Sequence, residues 1–164
     1  MQHTRTPSST LVGIALIVLP LVGLGLKFFS FGWMMVAIIF GPIFVMAIGY
    51  VIQIVIAIQG FLSRRDLFGA ARGRATLAAW ISLAGIVLLG LFMPDGGDVG
   101  YGSTLQVWLG AYGENGAAVN DATDTLTMVL AWISAVAWIG GFLWLATEWV
   151  GALARRGRER RAQH

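Results

Sequence analysis

Three side chains stand out in this 164-residue chain because they interrupt long apolar stretches: Lys27, Gln53 and Glu148. An ionisable group inside a hydrocarbon-spanning segment is a candidate for moving ions or substrate, since its burial has a cost that function must repay. Lys27 and Glu148 fall near the ends of their stretches, where long side chains can reach an interface. Lys27 is expected to snorkel to the outer boundary and Glu148 to the inner one, where it can meet an arginine. Their separation across the bilayer argues against a direct Lys27–Glu148 pair. Gln53 lies deeper and should hydrogen-bond to a neighbouring helix, while the hydroxyls of Ser82, Thr127 and Ser134 can bond to the preceding turn. No chain of acids crosses the membrane, which speaks against a self-contained proton pump.

A second set lies in one loop. Asp95, Asp98, Glu114, Asp121 and Asp124 sit between the third and fourth apolar stretches, with Trp108 and Tyr112 among them. Oxygen ligands of this kind can hold calcium, but their spacing does not match a calcium-binding loop. The expected state is a group of solvated carboxylates. Arginine supplies the remaining candidates: Arg64, Arg65, Arg72, Arg74, Arg155 and Arg156 are placed to meet anionic headgroups or a cytoplasmic partner. Cysteine is absent and the two histidines, His3 and His164, are terminal. No cofactor or metal is therefore expected, and no base, nucleophile and acid gather in a recognisable spacing. A specific nucleic-acid partner is not expected either, because topology explains the arginines better.

The composition indicates what must position these groups. Hydrophobic residues make up 57% and charged residues 12%, against roughly 45–50% and about 25% in soluble domains. With a mean hydropathy of +0.77, the chain reads as an all-α, polytopic integral membrane protein with four transmembrane helices in a bundle. The spans are expected at 11–28, 33–59, 77–93 and 126–150, each near or above the roughly 20 residues that cross a bilayer. Membrane-crossing strands are implausible for these four stretches, because only a closed barrel satisfies strand edges in lipid and four strands fall below the known size range. Read as a single helix, residues 11–58 would run about 72 Å, so "KFFSFGW" must hold a reversal. Gly41-Pro42 should kink the second span, and Pro20 is placed to bend the first. A cleaved signal peptide at 1–28 is the rival reading; Lys27-Phe28-Phe29 is a poor cleavage site, and a retained span is expected.

Orientation follows from charge. All ten arginines fall on one side of a four-span chain: Arg5, the loop 60–76 and the tail 151–164. That side carries a net +7, the opposite side −4, together the +3 of the whole chain. Both termini should be cytoplasmic. Trp33, Trp80 and Trp149 fall near span ends, as interfacial rings do. Trp132, Trp138 and Trp144 recur every six residues, a spacing that forms no single stripe on a helix.

The outer loop, 94–125, is too long for a simple link. Within it Leu105, Trp108, Leu109 and Tyr112 have amphipathic spacing, so a short helix is expected at about 103–112, with Ser103 and Gln106 as a capping box. That helix would lie on the membrane or roof the bundle, and Asp124 is positioned to cap the fourth span. Small pairs four apart, Ala37/Gly41, Ala78/Ser82, Ala131/Ala135 and Ala137/Gly141, point to close helix packing. There is no internal repeat of the kind that builds inverted-repeat transporters. Arginine in excess over lysine, with abundant Gly and Ala, suggests a bacterial source and hence the plasma (inner) membrane. The functional expectation is a non-catalytic accessory or structural subunit of a larger membrane complex. Its partners would be the lipid bilayer and other membrane subunits or copies of itself. The alternative is a small homo-oligomeric transporter or channel whose path uses Gln53, Glu148 and the acidic loop.

Overall fold

A computed structural model describes residues 7–30, 32–63, 67–98 and 100–162. It is 84% helical, and four of its helices are long and apolar enough to cross a membrane. Helix α1 (Pro7–Lys27) runs through Pro20 and ends in a single 3-10 turn at Phe28–Ser30. The second span is broken where Gly41 and Pro42 separate α2 (Trp33–Phe40) from α3 (Ile43–Ile56). Proline cannot donate the N–H that a continuous helix needs there. A wider π turn, Ala57–Leu62, closes the span. After a 3-10 turn at Gly69–Ala71 comes α4 (Arg72–Phe92), which leads into a two-stranded antiparallel hairpin of β1 (Asp95–Gly97) and β2 (Gly100–Gly102). Helix α5 (Thr104–Trp108) and the 46-residue α6 (Gly116–Arg161) complete the chain.

Helix α4 lies between α1 and α6 and packs closely on both. Backbone contact is what the small residues permit. A Cβ on Gly141 would stand 2.5 Å from the Ser82 nitrogen, and one on Gly85 only 2.7 Å from the Ser134 carbonyl oxygen. Ser82 ties the same seam by donating to the Trp138 carbonyl at 3.1 Å, rather than to its own preceding turn as expected. Thr127 and Ser134 do bond back, to Thr123 and Leu130. On the other side of α4, Gly90 lies against the Gly23 backbone. Among the described residues, a Cβ on Gly41 would meet only the Ala37 carbonyl of its own turn, at 3.0 Å.

The two ends of the bundle are built differently. The apolar core, including Leu16, Ile56, Phe61, Phe68, Leu83 and Leu145, extends towards the arginine-rich end. There Phe61 and Phe68 pack with ring centroids 5.2 Å apart. Towards the acidic end, the buried residues are instead largely polar: Lys27, Ser30, Asp95, Ser103, Thr104 and Gln106. Outward surfaces are strongly apolar, with Phe40 86%, Phe44 77% and Val136 70% exposed. That inversion suits a lipid environment, where outward apolar surface carries no hydration cost.

Helix α6 departs from the expected layout. It starts at Gly116, ten residues before the predicted fourth span. The turn-rich composition of 113–125 masked helical spacing, and Asp124 therefore lies inside the helix instead of capping it. At about 69 Å, α6 exceeds the roughly 30 Å of bilayer hydrocarbon. It runs on through Arg155, Arg156 and Arg158 to Arg161, with Glu159 alongside.

Candidate functional site

The closest gathering of polar side chains caps the acidic end of the bundle, and Asp95 is at its centre. Pro94 ends the run from α4 and directs Asp95 inward, onto the start of α2. Its Oδ2 accepts from the backbone N–H groups of Gly32 (3.1 Å) and Met35 (3.0 Å), and its Oδ1 from those of Met34 (2.9 Å) and Gly96 (2.8 Å). Three of these donors belong to the first turn of α2, whose own N-cap residue, Gly32, has no side chain to offer. A carboxylate some sixty residues downstream thus performs the capping that Ser, Thr, Asp or Asn usually performs locally. Gly32 is required there, since a Cβ would come within 2.5 Å of Asp95 Oδ1 and of the Gly96 carbonyl.

Lys27 completes the centre. Its ammonium donates to Ser30 Oγ (2.9 Å), the Ser30 carbonyl (3.3 Å) and the Met93 carbonyl (2.9 Å), and stands 3.9 Å from Asp95 Oδ2. The side chains of Lys27 and Asp95 are only 6% and 1% exposed. This differs from the expected snorkelling lysine and solvated aspartate. The loop folds back over the end of α1 and, through Met93 and Asp95, supplies partners that water would otherwise supply.

A hydroxyl relay continues the network. Thr104 Oγ1 donates to the backbone, with the Leu26 carbonyl at 2.8 Å and the Gly90 carbonyl at 3.2 Å. Ser30 must then be the donor in its 3.2 Å contact with Thr104. Ser103 and Gln106 form the expected capping box of α5, and Gln106 Nε2 also donates to Thr123 Oγ1 at 3.0 Å. Asn120 reaches the Tyr101 carbonyl, and the Tyr101 hydroxyl donates to Asp124 at 3.3 Å. Partial burial, with the Asp124 charge beside it, pushes the Tyr101 phenol above its ordinary pKa. Burial and the Asp95 charge do the same to Tyr112.

Helix α5 is shorter than expected, and its apolar side points outwards. Ser103, Thr104 and Gln106 are buried, while Trp108 and Leu109 are each 55% exposed and Tyr112 is exposed with them. Trp108 stacks edge-on against Phe29 at 5.7 Å. The polar face roofs the bundle and the apolar face looks away from it.

The remaining candidates are dispersed. Gln53 donates to the Leu16 carbonyl at 2.9 Å, and Tyr50 to that of Ile17 at 2.7 Å, so both fasten α3 to α1. Glu148 lies at the arginine-rich end, paired with Arg74 at 2.7 Å. Nearby, Trp149 donates to Gln59, and Arg72 reaches Ser9 at 3.4 Å. Asp98, Glu114 and Asp121 are exposed and Asp124 half-buried. Arg155 is exposed and Arg156 half-buried near the C-terminal end of α6. Arg64 and Arg65 lie outside the described residues. Among the described residues, no three acidic or histidine side chains converge on a metal position. Asp95 has four N–H donors on its two oxygens, which fills a carboxylate's accepting capacity.

Sequence reasoning overlooked Ser30, Thr104 and Thr123, which link the loop to the spans. A local signal existed for Thr104 alone: within 103–112 it, Ser103 and Gln106 are the polar residues off the stripe of Leu105, Trp108 and Leu109. Comparison with family models, curated proteins and solved structures gives no match.

Proposed function

We propose that this multi-pass membrane protein is a non-catalytic accessory or structural subunit of a larger membrane assembly. It would sit in a bacterial plasma membrane with its arginine-rich end and both termini in the cytoplasm. The observation that carries this reading is the use made of the buried polar groups. Lys27, Asp95, Gln53, Ser30, Thr104 and Gln106 all bond to backbone or side chains of their own bundle, and so act as fasteners between helices. A subunit devoted to packing needs that economy, together with broad apolar flanks such as those on α2, α3 and α6. The arginine distribution supports the orientation.

A homo-oligomeric transporter or channel has less support. Its path would have to join Gln53, Glu148 and the acidic loop, yet Gln53 is turned to the α1 backbone and Glu148 to Arg74. The test is to extract the tagged chain into a native-like polymer and measure the mass and composition of the intact particle. Unrelated subunits in stoichiometric amounts are expected. A homogeneous homo-oligomer without partners would overturn the accessory reading.

A further inference from the structure

The second span is interrupted inside the hydrocarbon. Helix α2 starts at Trp33, level with the Asp95 cap that closes the acidic end, and Gly41 lies about 12 Å further in. Half the hydrocarbon thickness is about 15 Å, so the break falls close to the midplane. Two helix ends meet there without joining. Pro42 has no N–H, the start of α3 has no side-chain cap, and no backbone hydrogen bond runs from Gly41, Ile43, Phe44 or Val45 to the last turn of α2. Among the described residues, the carbonyls from Ala37 to Phe40 and these four N–H groups are thus left without a partner in the chain.

Lipid tails cannot serve such groups, and helix breaks persist in membranes where a neighbouring helix, a side chain or water satisfies them. No span of this bundle does so, since α2 packs on β1 and the start of α3. The surroundings are apolar, with Phe40, Phe44, Val45 and Ile48 strongly exposed. That surface suits a protein helix rather than a water-filled cavity. A second copy of this chain fits poorly. Its deep polar side chains, Gln53, Ser82 and Ser134, are buried in their own bundle, and the exposed Trp132 indole can donate but not accept.

We propose that the α2–α3 break is the place where a transmembrane helix of a different subunit docks. That helix carries a hydroxyl or carboxamide side chain which bonds to the backbone beside Gly41-Pro42. The inference rests on the accessory reading above and gives it a contact surface. Phe40, Phe44 and Ile48, four residues apart, form the apolar flank, and the bare backbone forms the polar centre. Hydroxyl and carboxamide groups both donate and accept, as a mixed set of C=O and N–H groups requires. Bonds of this kind between helices add to close packing in holding membrane assemblies together.

Pro42 discriminates, because Pro42→Ala restores an N–H and lets α2 run into α3 while leaving the apolar flank in place. Wild type and Pro42→Ala are expressed as tagged full-length chains in the native membrane and extracted into a native-like polymer. The amount of each co-purifying subunit per tagged chain is measured beside the dodecyl sulfate unfolding midpoint of the isolated chain. Pro42→Ala should raise that midpoint and lower recovery of one subunit several-fold. Independently, benzoylphenylalanine in place of Phe44 should crosslink to the same subunit, within a membrane segment bearing Ser, Thr, Asn or Gln. A midpoint that falls in Pro42→Ala would mean that the break is satisfied within the chain, and would overturn the proposal. Full recovery of every subunit by folded Pro42→Ala, or a crosslink only to lipid or to a second copy, would overturn it equally. In those cases the accessory reading stands on the subunits that wild type recovers. If wild type recovers none, that reading falls and the docking site falls with it.

Discussion

Replacing Asp95 by alanine should be among the most damaging single changes at the acidic end. Two losses combine. The first turn of α2 loses the acceptor for Gly32, Met34 and Met35, and an N-cap is worth about 1 kcal/mol. The second loss is the counter-charge of Lys27, 3.9 Å away, with both side chains almost fully buried. Breaking a buried pair from one side costs about 3–5 kcal/mol. The lower end applies, because the ammonium keeps its acceptors on Ser30 and Met93. Asp95→Ala should therefore destabilise the fold by about 4 kcal/mol. Asp95→Asn retains a capping oxygen and should recover about 1 kcal/mol of that. In a double-mutant cycle with Lys27→Met, the coupling should be about 1–3 kcal/mol, below the roughly 4 kcal/mol that Coulomb's law gives at this distance for an effective dielectric near 20. Dodecyl sulfate titration in mixed micelles, followed by circular dichroism, reads the four proteins of the cycle and Asp95→Asn. A loss under about 1 kcal/mol for Asp95→Ala, or strict additivity in the cycle, would refute the reasoning.

Adjacent glycines on α6 should respond with opposite signs in the same titration. Gly141→Ala forces a Cβ onto the α4 backbone and should cost about 1–3 kcal/mol, whereas Gly140→Ala meets nothing within 4 Å and should gain about 0.5–1 kcal/mol of helix stability. Glu148→Gln should change stability by less than about 1 kcal/mol, because its partner Arg74 is 62% exposed. Alkaline titration should show Tyr101 and Tyr112 ionising above the ordinary phenol value of 10.0, with Asp124→Asn bringing Tyr101 down. Since their folded pKa values are raised, the stabilising contribution is complete below about pH 10 and is lost as the pH rises further; unfolding midpoints measured across that window check the sign. Cysteines introduced at Gly110 and Gly157 should label from opposite faces of sealed vesicles, Gly157 from the cytoplasmic face, and labelling of both from one face would contradict the four-span topology.

The four apolar helices could be read from the sequence because membrane thickness is a ruler that a hydropathy pattern meets directly. The break at Gly41-Pro42 was visible for the same local reason, since proline acts on its own turn. The α5 capping box is also local, three residues apart. Asp95 was not readable in this way. Its partners Met34 and Met35 are some sixty residues upstream, and nothing in "MPDGGD" distinguishes a carboxylate that folds inward from one that meets water. Lys27 was misjudged on the same ground: its acceptors include Met93, on another span. The early start of α6 was hidden because Asn, Asp, Gly and Thr in 113–125 are turn formers by propensity, and the helical context overrides them.

The distance between Asp95 and the helix it caps sets an order on assembly. Spans one and two form the first helical hairpin, yet Met35 must wait sixty further residues for the carboxylate that completes its turn. At about 5–20 residues per second that interval is roughly 3–12 s of synthesis. During it, α2 begins with bare N–H groups, and Lys27 has neither Met93 nor a counter-ion. The hairpin of the first two long helices is thus fastened first through Gln53 and Tyr50, and its acidic end is completed only when the chain beyond α4 delivers Asp95. A chain cut between α4 and the β-hairpin would contain three of the four long apolar helices and keep the Gln53 and Tyr50 fasteners, yet lack the carboxylate that joins the end of α1 to the start of α2.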